Sequence, residues 1–203
     1  NNAANTNGGG VYCADSSPTL ENCTFTDNSA GDNGGGMYCN ASSPTLTNCI
    51  FTNNDAVDGG GIWCAWTSNP ILNGCTFTNN AAGRWGGGVY CYDNSSPTLE
   101  NCTFTENTAN GGGGMYCQYS SSPTLDNCTF TDNTATYGSG MNCWGASPTL
   151  TNCTFTNNTA RYGGGMYCRY NSSPTLTSCT FTDNTAHDHD GGGMYCQYSS
   201  SPT

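Results

Sequence analysis

Apolar side chains are sparse along this chain, and they fall at nearly fixed intervals. In residues 147–168, "SPTLTNCTFTNNTARYGGGMYC", the apolar points are Leu150, Cys153, Phe155, Ala160, Met166 and Cys168, set among Thr, Asn and Gly. Cys153 and Phe155 alternate with Thr154 and Thr156, and Met166 and Cys168 lie on either side of Tyr167. Leu150 stands between Thr149 and Thr151. Period-two alternation is the signature of strands that are apolar on one face. No segment has a 3.6-residue apolar period, and Gly, Pro, Asn, Ser and Thr all disfavour helix. The pattern predicts three short strands, separated by Gly, Asn and Ser-Pro corners.

The same unit recurs along the whole chain. Cysteines closing GGGxYC-like strings are Cys13, Cys39, Cys64, Cys91, Cys117, Cys143, Cys168 and Cys196, spaced by 25 to 28 residues. Those in NCTF-like strings are Cys23, Cys49, Cys75, Cys102, Cys128, Cys153 and Cys179, spaced by 25 to 27. All seven Phe share one repeat position, all eight Pro a second and all seven Leu a third. One such unit cannot bury its own apolar face, whereas copies stacked about 4.8 Å apart bury a continuous column. The expected fold is therefore all-β, a parallel β-helix of about eight coils in a rod very roughly 40 Å long. Residues 1–203 are read as a single array, either a window of a longer repeat chain or an uncapped fibre subunit.

Stacking in register explains why residue types are segregated. Asn28, Asn54, Asn80, Asn107, Asn133, Asn158 and Asn184 fill one position in every copy, where amides can pass hydrogen bonds from coil to coil. The Ala two residues later, Ala30 through Ala186, marks a tight inward point. Insertions fall before the glycine run, as in "TAHDHDGGG".

Pairing GGGM or GGGV with FTDN or FTNN resembles the GGA[ILV] and FxxN repeats of polymorphic outer-membrane proteins. More broadly it resembles right-handed parallel β-helix repeat proteins of bacterial and archaeal surfaces. The resemblance implies the right-handed turn of the coil and a surface location.

Composition narrows the function. Only 34% of residues are hydrophobic and 8% charged; there are three Arg, no Lys, and a net charge of −11. So few cations argue against nucleic acid and anionic membranes as partners, and no apolar run approaches a membrane span of about 20 residues. Fifteen cysteines point to an oxidising, extracellular compartment. One disulfide per coil is the economical expectation, joining Cys13–Cys23, Cys39–Cys49, Cys64–Cys75, Cys91–Cys102, Cys117–Cys128, Cys143–Cys153 and Cys168–Cys179. Vertical pairing along a column is the alternative. A thiolate metal site lacks the CxxC pairs it usually needs.

Other candidates are weaker. Tyr12, Tyr38, Trp63, Tyr90, Tyr116, Tyr167 and Tyr195 form an outward aromatic column, broken at Asn142, that either stacks on itself or meets glycans or a neighbouring rod. Glycosylation sequons occur at Asn22, Asn40, Asn94, Asn101, Asn127, Asn152, Asn157 and Asn171; Asn40, Asn94 and Asn171 are the better acceptors, because NCT asparagines are expected at packed corners. Asp27, Asn53, Asn79, Glu106, Asp132, Asn157 and Asp183 form a column read as surface relief of charge, with Ca²⁺ as the alternative; otherwise no cofactor is expected. His187, Asp188, His189 and Asp190 are read as a solvated insertion rather than a metal site. Acidic residues sit at repeated surface positions and Lys is absent, so no enzyme is expected. The sequence reads first as a structural filament or stalk that associates with itself head-to-tail or laterally. The alternative is an adhesin or glycan-binding surface protein using the aromatic column.

Overall fold

The computed structural model describes residues 1–188 and 191–203. The chain winds into a parallel β-solenoid with two sheets of eight strands and two of seven. Among the described residues the pairings between coils are parallel and, outside the Ala81–Trp85 strand, join equivalent residues, as in Phe77↔Phe104, Leu72↔Leu99 and Cys64↔Cys91. One coil shows the plan: Met115–Gln118, Thr124–Asp126, Thr129–Thr131 and Thr134–Tyr137. We name the sheets after their inward residues: the methionine–cysteine, leucine, phenylalanine and alanine sheets.

Each coil thus has four strands rather than three. The fourth follows the invariant Asn and carries one inward apolar residue, the Ala, so its alternation leaves almost no hydrophobic trace. Ala30, Ala56, Ala82, Ala135 and Ala160 are buried. This strand also takes up length variation: the pairing of Ala81–Trp85 shifts register after Ala82, where Gly83 and Arg84 are accommodated.

The core is narrow and columnar. Met, Cys, Leu and Phe meet in one continuous cluster. Successive Phe rings stack with centroids 4.5–4.9 Å apart and planes within 9° of parallel, from Phe25 to Phe181. The third glycine of the run lies against this column. A Cβ on Gly114 would sit 2.6 Å from the Gly140 carbonyl oxygen and 2.7 Å from the Phe130 ring, so no larger residue fits.

Between the phenylalanine and alanine sheets runs the asparagine column, buried from Asn28 to Asn158. Asn54 Nδ2 donates to Asn80 Oδ1 at 2.9 Å and to the Phe25 carbonyl at 2.9 Å. Asn54 Oδ1 accepts from the Asn28 backbone N–H at 3.1 Å and from Asn28 Nδ2 at 2.9 Å. Two donors and two acceptors are all an amide offers, and all four are used. Two serine columns do similar work at the Ser-Pro corner, with opposite polarity. Ser68 N–H donates to Ser95 Oγ on the following coil, while Ser122 N–H donates to Ser96 Oγ on the preceding one.

Corners that reverse the chain use left-handed backbone. Asp27, Asn53, Asn79, Glu106, Asp132, Asn157 and Asp183 all have φ between 53° and 56°. Asn and Asp tolerate that region better than other side chains. This geometry accounts for the residue types in the column, and Asn beside Asp also relieves charge there, as Asn53 Nδ2 donates to Asp27 Oδ1 at 3.0 Å.

Replacing Asn107 by Ala should orphan the Asn80 amide donors and the Phe77 carbonyl together. At about 1–3 kcal/mol per buried unsatisfied group, destabilisation should exceed about 3 kcal/mol. Thermal melting and hydrogen exchange around coils 80–133 would measure it, and a loss below about 1 kcal/mol would contradict this account.

Candidate functional site

Two features carry chemistry beyond the fold itself: the cysteine columns and the aromatic side. All fifteen cysteines are free thiols. Their contacts run along the columns. Cys39 has Cys13 and Cys64 as its thiol neighbours, and Cys102 has Cys75 and Cys128. The within-coil bonds expected from sequence, from Cys13–Cys23 to Cys168–Cys179, are not formed. A separation of 10 or 11 residues in sequence crosses the Ser-Pro corner and the whole leucine strand, which puts the two cysteines on different walls of the coil. Each NCTF cysteine instead points its S–H at carbonyls near its own corner, as Cys102 Sγ does toward Leu72 O at 3.5 Å and Glu100 O at 3.4 Å.

Burial, reinforced by Cys143 and Cys91, pushes the Cys117 thiol well above the ordinary thiol range. Cys128 rises to about 12, through its bond to Cys102 and through burial. Thiols so protonated are poor nucleophiles.

The aromatic column lies outside the core but is not the exposed stripe expected. Tyr12 is 54% exposed, whereas Tyr38, Trp63, Tyr90, Tyr116 and Tyr167 are at most 5% exposed and Tyr195 is half-buried. A second aromatic layer covers them. Trp85 stacks on Tyr116 with centroids 5.1 Å apart, Tyr92 on Trp63 at 6.0 Å, and Tyr137 on Tyr167 at 5.9 Å. Trp85 comes from the alanine strand and Tyr92 from the corner after the cysteine; both are visible in the sequence, at repeat positions where the residue type varies. Asn142 interrupts the column and leaves two clefts. The larger, about 440 Å³, is lined by Trp63, Trp66, Trp85, Tyr90, Tyr92 and Tyr119, with Arg84, Asp58 and Gln118 at its polar edge. The smaller, about 310 Å³, is tyrosine-lined around Arg169.

Charges here are internally matched. Arg84 Nη2 contacts Asp58 Oδ2 at 2.6 Å and Arg84 Nε contacts Oδ1 at 3.2 Å, a bidentate pair. Burial raises the Asp58 pKa, opposed by Arg84. Arg169 lies over Trp144 at 4.0 Å and Tyr170 at 4.4 Å. Tyr90 donates its hydroxyl proton to Gln118 Oε1 at 2.5 Å. Among the described residues no three His, Cys, Asp or Glu groups converge as metal ligands, and His189 and Asp190 lie outside those residues.

The sequons sit elsewhere than expected. Asn22, Asn101, Asn127 and Asn152 occupy exposed left-handed corners, with φ of 53° to 55°, rather than packed ones. Asn94 and Asn171 are exposed and Asn40 is half-buried.

The family model for the right-handed beta helix region matches residues 1–148 and 110–203, spanning the chain. The chain belongs to the right-handed β-helix family. No curated protein and no solved structure matches it. The family assignment agrees with the parallel coil and leaves function to the surface of this β-helix.

Two predictions follow from the buried thiols and phenols. Denatured without reductant, the protein should titrate as fifteen thiols; peptide mapping that found Cys64 joined to Cys75 would refute the column arrangement. Burial also raises Tyr90 and Tyr116 above the ordinary phenol range. A phenol whose folded pKa exceeds its unfolded value stabilises the fold fully below about pH 10 and loses that contribution as pH rises toward the folded pKa. Melting temperature should therefore fall steeply in alkali; a flat profile to pH 12 would contradict it.

Proposed function

We propose that this β-helix is a structural rod of an extracellular or cell-surface filament or stalk, built by continued stacking of coils. One observation carries the reading: all four sheets are parallel along the chain, and three of them keep one register, with a single shift at Ala81–Trp85 in the alanine sheet. Backbone donors and acceptors consequently point along the axis, where another coil extends the ladder. Self-association along that axis is the partner interaction, with lateral contacts as a second mode. Exposed sequons at Asn94, Asn101, Asn127, Asn152 and Asn171 fit a glycosylated surface protein. No catalytic step is assigned.

A second reading rests on the corner after the cysteine. Trp66, Tyr119, Tyr170 and Tyr198 are 38–59% exposed and have φ between 51° and 57°. Other coils place Asp15, Asp93 or Gly145 in equivalent left-handed turns. Bulky aromatics held there against backbone preference favour a contact role, such as an adhesin gripping a glycan.

Electron microscopy of native material distinguishes the two. Filaments with an axial repeat of about 4.8 Å support the rod. Isolated short rods that bind a glycan array, with binding lost in Trp66→Ala, would replace it with the adhesin reading.

A further inference from the structure

The outer face of the phenylalanine sheet is unlike the other three. Its strands read Thr-Phe-Thr in six of seven coils and Ile-Phe-Thr in the other. With Phe turned inward, the flanking residues form two outward columns. One runs Thr24, Ile50, Thr76, Thr103, Thr129, Thr154, Thr180, and the other runs Thr26 through Thr182, each in register with the next. No charged residue interrupts either column.

The Phe column behind this face turns little from coil to coil. Adjacent strands in ordinary sheets are rotated by roughly 20–25°. The Phe rings behind these threonines stay within 9° of parallel at all six steps, and within 3° at the last three. The same rings fix the step along the axis at 4.5–4.9 Å. Across the strand, threonines two residues apart stand about 6.6–6.8 Å from one another. The result is a rigid rectangular grid of hydroxyl and methyl groups. β-branching restricts each χ1, so the grid is set before any ligand arrives.

A grid of this kind fits a crystalline partner rather than a molecule in solution. One hydroxyl gains little by exchanging liquid water for another neutral partner. Many hydroxyls fixed at a lattice repeat gain together, because the surface has already lost its conformational freedom. The step along the axis lies close to the shorter oxygen repeat on a prism face of hexagonal ice, and the step across the strand falls somewhat below the longer one. Ice is neutral, and the grid is free of charge on a chain of net charge −11. The leucine sheet gives the contrast within the same molecule: its second column runs Glu21, Thr47, Asn73, Glu100, Asp126, Thr151, Thr177, mixing carboxylates with neutral groups. Tightly hydrated carboxylates there would hold liquid-like water.

We propose that the threonine face of the phenylalanine sheet is an ice-binding surface. This activity is independent of filament formation and of the aromatic clefts.

The test is thermal hysteresis and ice-affinity partition of the purified full chain. The wild type should arrest ice growth and concentrate in the ice fraction. Thr129→Lys, placing a charge mid-grid, should reduce hysteresis at least tenfold. Thr124→Lys, on the leucine sheet of the same coil, should leave it unchanged, and Ile50→Thr, completing the grid, should increase it. Circular dichroism and melting establish that each variant is folded. A folded wild type with neither hysteresis nor ice partition overturns the proposal. So does equal loss in the Thr129 and Thr124 variants, or partition onto crystalline polysaccharide or mineral but not onto ice.

Discussion

A parallel coil stacked in register gives every side chain the same two neighbours, its own counterparts one coil above and one below. Residues that suit themselves are therefore favoured at every position, and residues that repel themselves are disfavoured, though Glu100 and Asp126 do stack on the exposed face of the leucine sheet. Asparagine is self-complementary, and Asn54 uses all four of its hydrogen-bonding positions between Asn28, Asn80 and the Phe25 carbonyl. Phenylalanine stacks on itself, as the near-parallel rings from Phe25 to Phe181 show. Charge does not suit itself. Two like charges about 4.8 Å apart repel by about 1 kcal/mol even in water, and a column repeats that at every step. The low charged fraction of 8% and the absence of Lys are consequences of stacking before they are clues to a partner.

The cysteines obey the same rule. A narrow core lined by Phe, Leu and Met leaves small inward positions beside each corner, and cysteine fills them as a compact apolar residue with a weak donor. Cys75, Cys102, Cys128 and Cys153 each direct that donor at a carbonyl of the leucine strand one coil before and at the carbonyl two residues back. Alanine would supply no donor, and serine would bring a more strongly hydrated hydroxyl into the core. Disulfides are not required to explain two cysteines per coil.

The periodic part of the structure was legible from the residues. Alternation located the strands around Leu150, Phe155 and Met166, and the repeat located the Asn column. The fourth strand was not legible, because Ala160 alone is too little apolar signal to mark a strand. Corner geometry was present but misread: the residue before each NCTF cysteine and the residue before the invariant Asn are mostly Asn or Asp because φ is positive there, as at Asn152 and Asn157, with Gly74, Glu106 and Ser178 as exceptions. Pairing the cysteines by sequence separation failed because distance along a coil is not distance across it. The aromatic side was the least legible. Its burial depends on Trp85 and Tyr92, which stand at repeat positions where the residue type varies and fold over Tyr116 and Trp63.

A solenoid's faces are coupled only through the core, so each can carry its own information. On the aromatic side, information lies where the ladder fails: Asn142 breaks the column, the Gly83–Arg84 insertion admits the pair with Asp58, and the two clefts open on either side of the break. On the threonine side it lies where the ladder does not fail. A grid that repeats without charge, and with Ile50 its one departure, cannot single out one small molecule, because nearly every site on it is equivalent to the next. It can distinguish only a partner that is itself periodic.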